Sequence, residues 1–361
     1  MRKRGIALVL AAGLLVFLAG CGGRIKDGTG NREETTAVSA TTKTEAGGVS
    51  SEEAKEDGAE AETDITKAIL EEKKGTVAVT YVKSPLNVPS IVEKDQAIFA
   101  EKFGELGYGV EYSDLTTGPE QTQALASGDI QFLYAVGATS VILAASNEAD
   151  IKIISTYSRS PEAFKLFGTD DSVKSPEDLR GKKVAGPKGT ILHELLVAYL
   201  ASGGMTEGDI EFMSMGIPDA QAALAGGSVD AALLAGPTAY NMEKDGFTVI
   251  TDGTGLTEAT IVVAASGEYI DGHPEEVKAF LAAQKQVLDT IDSDLEAAME
   301  ITAKETELTT EAVKEMYPMY DFDMTIRDSD IEAMKKTVAF MKDNGMIEHD
   351  VDVEALIWRM E

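Results

Sequence analysis

The chain has 361 residues, of which 62 are acidic and 32 basic, for a formal charge of −30. Such a surface repels nucleic acid, whose recognition needs a basic patch, and also anionic lipid, so neither is expected as a direct partner. Cys21 is the only cysteine, which excludes an intramolecular disulfide and leaves the residues beyond it no thiol nucleophile or thiolate metal site.

In chain order, Arg2, Lys3 and Arg4 precede an uncharged apolar stretch, Gly5–Ala19. It is shorter than the roughly 20 apolar residues of a spanning helix and has the length of a signal-peptide core. It ends in Leu18-Ala19-Gly20-Cys21, which resembles the bacterial lipobox. That resemblance implies removal of residues 1–20 and diacylation of Cys21, so that lipid is the membrane anchor. Residues 22 to 64 are rich in Gly, Thr, Ser, Ala and Glu, with Ile25, Val38 and Val49 as their only large apolar side chains. Too little apolar surface can be buried there to offset chain entropy, so 21–74 is expected to be a disordered tether, with a short helix over 65–74.

From Gly75 the pattern alternates. Thr76–Tyr81 is a predicted strand, Ser90–Leu106 a helix, Val110–Leu115 a strand, Pro119–Ser127 a helix and Ile130–Val136 a strand. Thr139–Ser146 follows as a helix and Ile151–Ser155 as a strand. This order implies a mainly parallel sheet covered on both faces. It then recurs: strands at Lys182–Ala185, Ile210–Met215, Val229–Ala235 and Phe247–Thr251 alternate with helices at Ile191–Ala201, Pro218–Ala225 and Thr238–Lys244. Residues recur too, at an offset of 99. Pro119, Ala124, Leu125, Gly128, Gly137 and Thr139 return as Pro218, Ala223, Leu224, Gly227, Gly236 and Thr238. Two similar α/β lobes are expected. Ala259–Ala265 is placed to return the chain to the first. Helices then fit Pro274–Ile291, Leu295–Lys304, Thr310–Tyr317, Ser329–Asp343 and Val353–Met360, with Asp328 or Ser329 as a cap and Gly345 past the end of the fourth.

Several segments carry a resemblance: Gly118-Pro119 with Gly128-Asp129-Ile130, Ser175-Pro176-Glu177-Asp178-Leu179, Lys188-Gly189-Thr190-Ile191-Leu192-His193, Pro218-Asp219-Ala220 with Gly227-Ser228-Val229-Asp230, and His273-Pro274-Glu275-Glu276-Val277. On these the mature chain resembles the type II periplasmic-binding-protein fold, in the nitrate, sulfonate and taurine branch of ATP-binding-cassette (ABC) importers. The resemblance implies a monomeric extracytoplasmic binding protein, not an enzyme, without cofactor or metal. It implies lobe one at 75–160 plus 261–361, lobe two at 161–260, and a two-strand hinge. A small, sulfonate-like anion would be held between the lobes and passed to permease subunits. The ATPase would be a separate subunit, since Gly186-Pro187-Lys188-Gly189-Thr190 lacks Walker A spacing. One departure is Leu234-Ala235-Gly236-Pro237: that branch often has tryptophan, an acidic residue and proline there, so the pocket is expected to be wider or differently filled.

Ligands of open parallel sheets sit beyond the strand C-termini, where helix N-termini offer free N–H groups to an anion. The candidate contacts are therefore Ser84, Asn87, Gly118, Gly137, Thr139, Ser140, Gly189, Thr190, Ile191, Gly236 and Thr238. Capping alone also accounts for the Ser and Thr residues. His193 reads as a partly exposed helix residue or a ligand donor. Two other readings stay open: a thiamine-precursor-type protein gripping a flat pyrimidine with Tyr81, Tyr134, Tyr157, Phe164 or Tyr240, and an enzymatic relative, which the missing thiol disfavours.

Overall fold

A computed structural model of the chain describes residues 74–360. The signal-like stretch, Cys21, the tether and all but the last residue of the 65–74 helix therefore lie outside the described residues.

The first body opens with β1 (Gly75–Thr80), α1 (Val88–Gln96), α2 (Ile98–Glu105), β2 (Tyr108–Ser113), α3 (Gly118–Ala126), β3 (Leu133–Gly137), α4 (Ala138–Ser146) and β4 (Lys152–Arg159). The single helix expected over 90–106 is broken, because Ala97 takes a left-handed conformation with φ 55°. Glu93 holds the break. Its buried Oε1 accepts from Phe99 N–H at 2.9 Å and from the Tyr112 hydroxyl at 2.7 Å. Burial outweighs these bonds and pushes the carboxyl up to about 7.

β1 pairs in parallel with β2 and bridges toward β3 through Val79 and Phe132. β10 (Thr260–Ala265) runs antiparallel between β3 and β4. The second body is a five-stranded sheet in the order β7-β6-β8-β5-β9. It comprises β5 (Phe164–Gly168), β6 (Lys183–Gly186), β7 (Glu211–Ser214), β8 (Ala231–Ala235) and β9 (Thr248–Asp252). The helices α5 (Ile191–Ser202), α6 (Ile217–Ala225) and α7 (Gly236–Lys244) alternate with these strands. β6 is parallel to β7 and β8, whereas β5 is antiparallel to β8 and β9. Both bodies are thus mixed where a mainly parallel sheet was expected. β5 itself was not foreseen: five residues after Ser160-Pro161 carry no periodicity that separates a strand from an apolar loop.

Helices α8 (Gly267–Gly272), α9 (Pro274–Ser293), α10 (Leu295–Thr306), α11 (Thr310–Met316), α12 (Asp328–Asp343) and α13 (Val353–Leu356) complete the chain. α9 packs on α1 and α2, and α12 on α4 and β10. At the start of α12, Asp330 takes the capping role expected of Asp328 or Ser329. Its carboxylate accepts from Arg327 N–H at 2.7 Å and pairs in bidentate fashion with Arg159, both bonds 2.6 Å. α13 stops four residues short of the expected end, because Trp358 N–H donates to Ile153 O at 2.9 Å and so binds β4 instead.

Phe280 of α9 anchors the first core. Its ring stacks on Phe132 at 4.3 Å and meets Phe99 and Tyr134 at 4.8 and 5.6 Å, all four buried. Phe280→Ala is expected to cost about 3–5 kcal/mol, read as a lower urea midpoint for the transition followed by near-ultraviolet circular dichroism.

Candidate functional site

Six loops that follow strand C-termini converge between the two bodies and enclose a cavity of about 190 Å³. Ser84 and Pro85 arrive after β1, Thr117 and Gly118 after β2, and Gly137 after β3. From the second body come Thr190 and Ile191 after β6, Pro218 after β7, and Ala235 with Thr238 after β8. No ionisable side chain is among the described residues that line it.

The positive character of the site comes from backbone. The N-cap residues of α4, α5, α6 and α7 are Gly137, Thr190, Gly216 and Ala235, and none makes a side-chain capping bond. No cap side chain occupies the first-turn N–H groups at these starts, although Pro218 in α6 and Pro237 in α7 each remove one, and each start carries the positive end of a helix dipole. The Thr190 hydroxyl does not add a donor toward the cavity, since it donates to Pro187 O at 2.8 Å. Gln121, one turn into α3, also lines the cavity and is only 2 % exposed. Its Nε2 donates to Leu115 O at 3.1 Å, and its Oε1 has no partner among the described residues. In the sequence nothing distinguishes Gln121 from Gln123 two positions on.

Of the expected contacts, Ser84, Gly118, Gly137, Ser140, Thr190, Ile191 and Thr238 line the cavity. The other four lie behind it, each with a structural task. Asn87 is buried, and its Nδ2 donates to Val82 O and Ser84 O at 2.9 and 3.1 Å, fixing the loop that presents Ser84. Thr139 is buried and donates to the Glu194 carboxylate. Gly189 accepts at its carbonyl from the Ser140 hydroxyl at 2.8 Å, a bond between the two bodies. Gly236 has φ 60°, and a Cβ there would fall 1.5 Å from Pro85 O, so the start of α7 sits directly on the Ser84–Asn87 loop.

His193 differs from its expectation of partial exposure. It is buried, accepts Gly189 N–H at Nδ1 over 3.3 Å, contacts Glu207 through Nε2 and stacks on Phe212. Burial pushes its pKa down, against the Glu207 carboxylate that pulls it up. Among the aromatics considered for a flat ligand, only Phe164 lines the cavity. Tyr134 and Tyr157 are core residues.

The family described as NMT1/THI5 like matches residues 103–294. The chain is 30 % identical over 208 residues to the taurine-binding periplasmic protein of Escherichia coli, an alignment that spans 56 % of this chain and 63 % of that protein. The alkanesulfonate-binding protein SsuA of Xanthomonas axonopodis pv. citri, bound to MOPS, superposes with a TM-score of 0.72 at 21 % identity, over 79 % of this chain and 98 % of that one. The periplasmic aliphatic sulphonate binding protein SsuA of Escherichia coli gives 0.67 at 22 % identity, over 79 % and 92 %. The fold is that of periplasmic binding proteins.

Gly236→Ala is expected to push α7 off the Ser84–Asn87 loop and part the two bodies, since its Cβ and the Pro85 carbonyl need the same space. Hydrogen exchange in 82–88 should then rise while β8 stays protected. Unaltered exchange in 82–88 would mean that the contact yields without opening the cleft.

Proposed function

The chain belongs to the NMT1/THI5-like family, and on that premise we propose that it is the extracytoplasmic solute-binding component of an ABC importer. It captures a small sulfonate-type anion between lobe one, 75–160 with 261–361, and lobe two, 161–260. The observation that carries this reading is the cavity between the bodies, fed by four helix starts without side-chain caps and lined, among the described residues, by no ionisable side chain. Backbone N–H groups can hold a sulfonate there without the desolvation cost of a buried cation. The taurine- and alkanesulfonate-binding names of the relatives support the same ligand class. Permease subunits with a separate ATPase would receive the ligand, and lipid on Cys21 would tether the protein to the membrane. Those relatives are binding proteins by name, and the reading assigns no reaction to the chain.

Oε1 of Gln121 is enclosed without a partner among the described residues, and a rotation that turns it to the cavity favours a ligand that also brings a hydrogen-bond donor. With no acidic lining residue to pair an ammonium, a hydroxyl suits the cavity better than an amine. Isethionate should bind more tightly than its methyl isostere propanesulfonate, with taurine limited by its unpaired ammonium. Gln121→Leu should remove the advantage of isethionate, roughly 0.5–1.5 kcal/mol, and leave propanesulfonate unchanged in titration calorimetry. At a thousandfold excess over its dissociation constant, the preferred sulfonate should stabilise the fold by about 4 kcal/mol. Stabilisation by a pyrimidine and by none of the sulfonates would overturn the reading in favour of the thiamine-precursor class.

The anchor has its own test. Cells grown with radiolabelled palmitate should label the wild-type chain and not Cys21→Ser. Label retained in the variant would refute lipidation at Cys21.

A further inference from the structure

Glu194 stands one turn beyond the Thr190–Leu192 segment that lines the cavity, and is itself 4 % exposed. It belongs to α5 in the second body, yet two of its side-chain partners lie in the first. Thr139 of α4 donates to its Oε2, and Thr337 of α12 donates to its Oε1 at 3.2 Å. Thr257, on the segment leading into β10 in the same body as Glu194, adds a third hydroxyl beside the carboxyl. None of these is a cation. Hydroxyls both donate and accept, so they serve a carboxylic acid as well as a carboxylate, but they cannot neutralise a buried charge.

The surroundings reinforce this. α4 carries no charged residue. On α12, Lys335 is paired with Glu332 and Glu354, and Asp330 with Arg159. The neighbouring His193 is turned to Glu207. Glu258 adds a negative field. Burial, helped by Glu258, holds the Glu194 carboxyl above the ordinary carboxylate range despite the three hydroxyls.

We propose that Glu194 is a proton-gated latch on the cleft and so a positioning residue for ligand capture: carrying its proton, it holds the second body against Thr139 and Thr337, and ionisation favours opening. The proposal rests on the reading that the cleft opens and closes around a ligand. The sign follows from linkage. An open cleft exposes Glu194 to water and returns it toward its ordinary range, so closing takes up a proton. Closure, and with it ligand affinity, is strongest at acidic pH and weakens as pH rises through the raised closed-state value.

The test needs no ligand, so it stands or falls apart from the sulfonate reading. Hydrogen exchange of the full chain is compared between wild type and Glu194→Gln at the same pH, which cancels the intrinsic pH dependence of exchange. Glutamine keeps the shape and cannot ionise. Near neutral pH, segments 138–146 and 187–197 should exchange at least about threefold faster in wild type than in the variant, and the two should converge as pH falls below the ordinary glutamate range, to roughly 4. Thr139→Val should speed exchange in both segments at both pH values, with β1 and β8 unaffected. Equal protection of wild type and Glu194→Gln near neutrality would overturn the proposal. A difference that persists unchanged in acid, or one spread evenly over β1 and β8, would reduce Glu194 to a structural residue and overturn it equally.

Discussion

A strand buried on both faces must be largely apolar and must find two neighbours for its backbone, and Thr260–Ala265, apolar from Ile261 onward, meets both demands between β3 and β4. Its antiparallel course returns the chain from the second body to the first, where the C-terminal helices then pack on α1, α2 and α4. The Arg159–Asp330 pair fixes the end of β4 to the start of α12 at the same level. Among the described residues the chain crosses between the bodies only beside β4 and β10, and elsewhere the bodies meet through side chains and loop backbone. That leaves room for a cavity between them.

What meets across the cavity is mostly helix starts. The duplicated pattern places α3 and α4 in one body and α6 and α7 in the other, each following a strand that ends at the cleft. The copies are used differently. Thr238 lines the cavity, whereas its counterpart Thr139 is committed to Glu194. Gly137 lines the cavity, whereas Gly236 seats α7 against Pro85. One set of positions therefore faces the ligand space and the other holds the two bodies in register.

Charge is divided in the same way. A chain with formal charge −30 keeps ionisable side chains out of the cavity lining. Of the acids beside the helix that starts at Thr190, Glu207 is paired with His193 and Lys188, and Glu194 is buried against hydroxyls. The field at the site is then set by helix dipoles and oriented N–H groups, which long-range surface charge perturbs weakly.

The sequence by itself determined the α/β class, the duplication and most of the helix starts, because apolar period and glycine or proline punctuation are local properties of the chain. It also pointed to the loops that surround the cavity, since strand-to-helix turns are legible in one dimension. Tertiary structure alone decided the rest. β5 is a strand because β8 and β9 flank it, and nothing within Phe164–Gly168 announces that. Ala97 breaks a helix because Glu93 can reach Phe99 and Tyr112. Asn87, Thr139 and Gly189 have the residue types of ligand contacts, yet they bind protein groups far away in sequence or fix a loop. Gln121 and Glu194 look like ordinary helix-surface residues in the sequence, and only packing takes them from water. A polar residue type states what it can bond to; which partner it receives depends on contacts between residues that are distant in the chain.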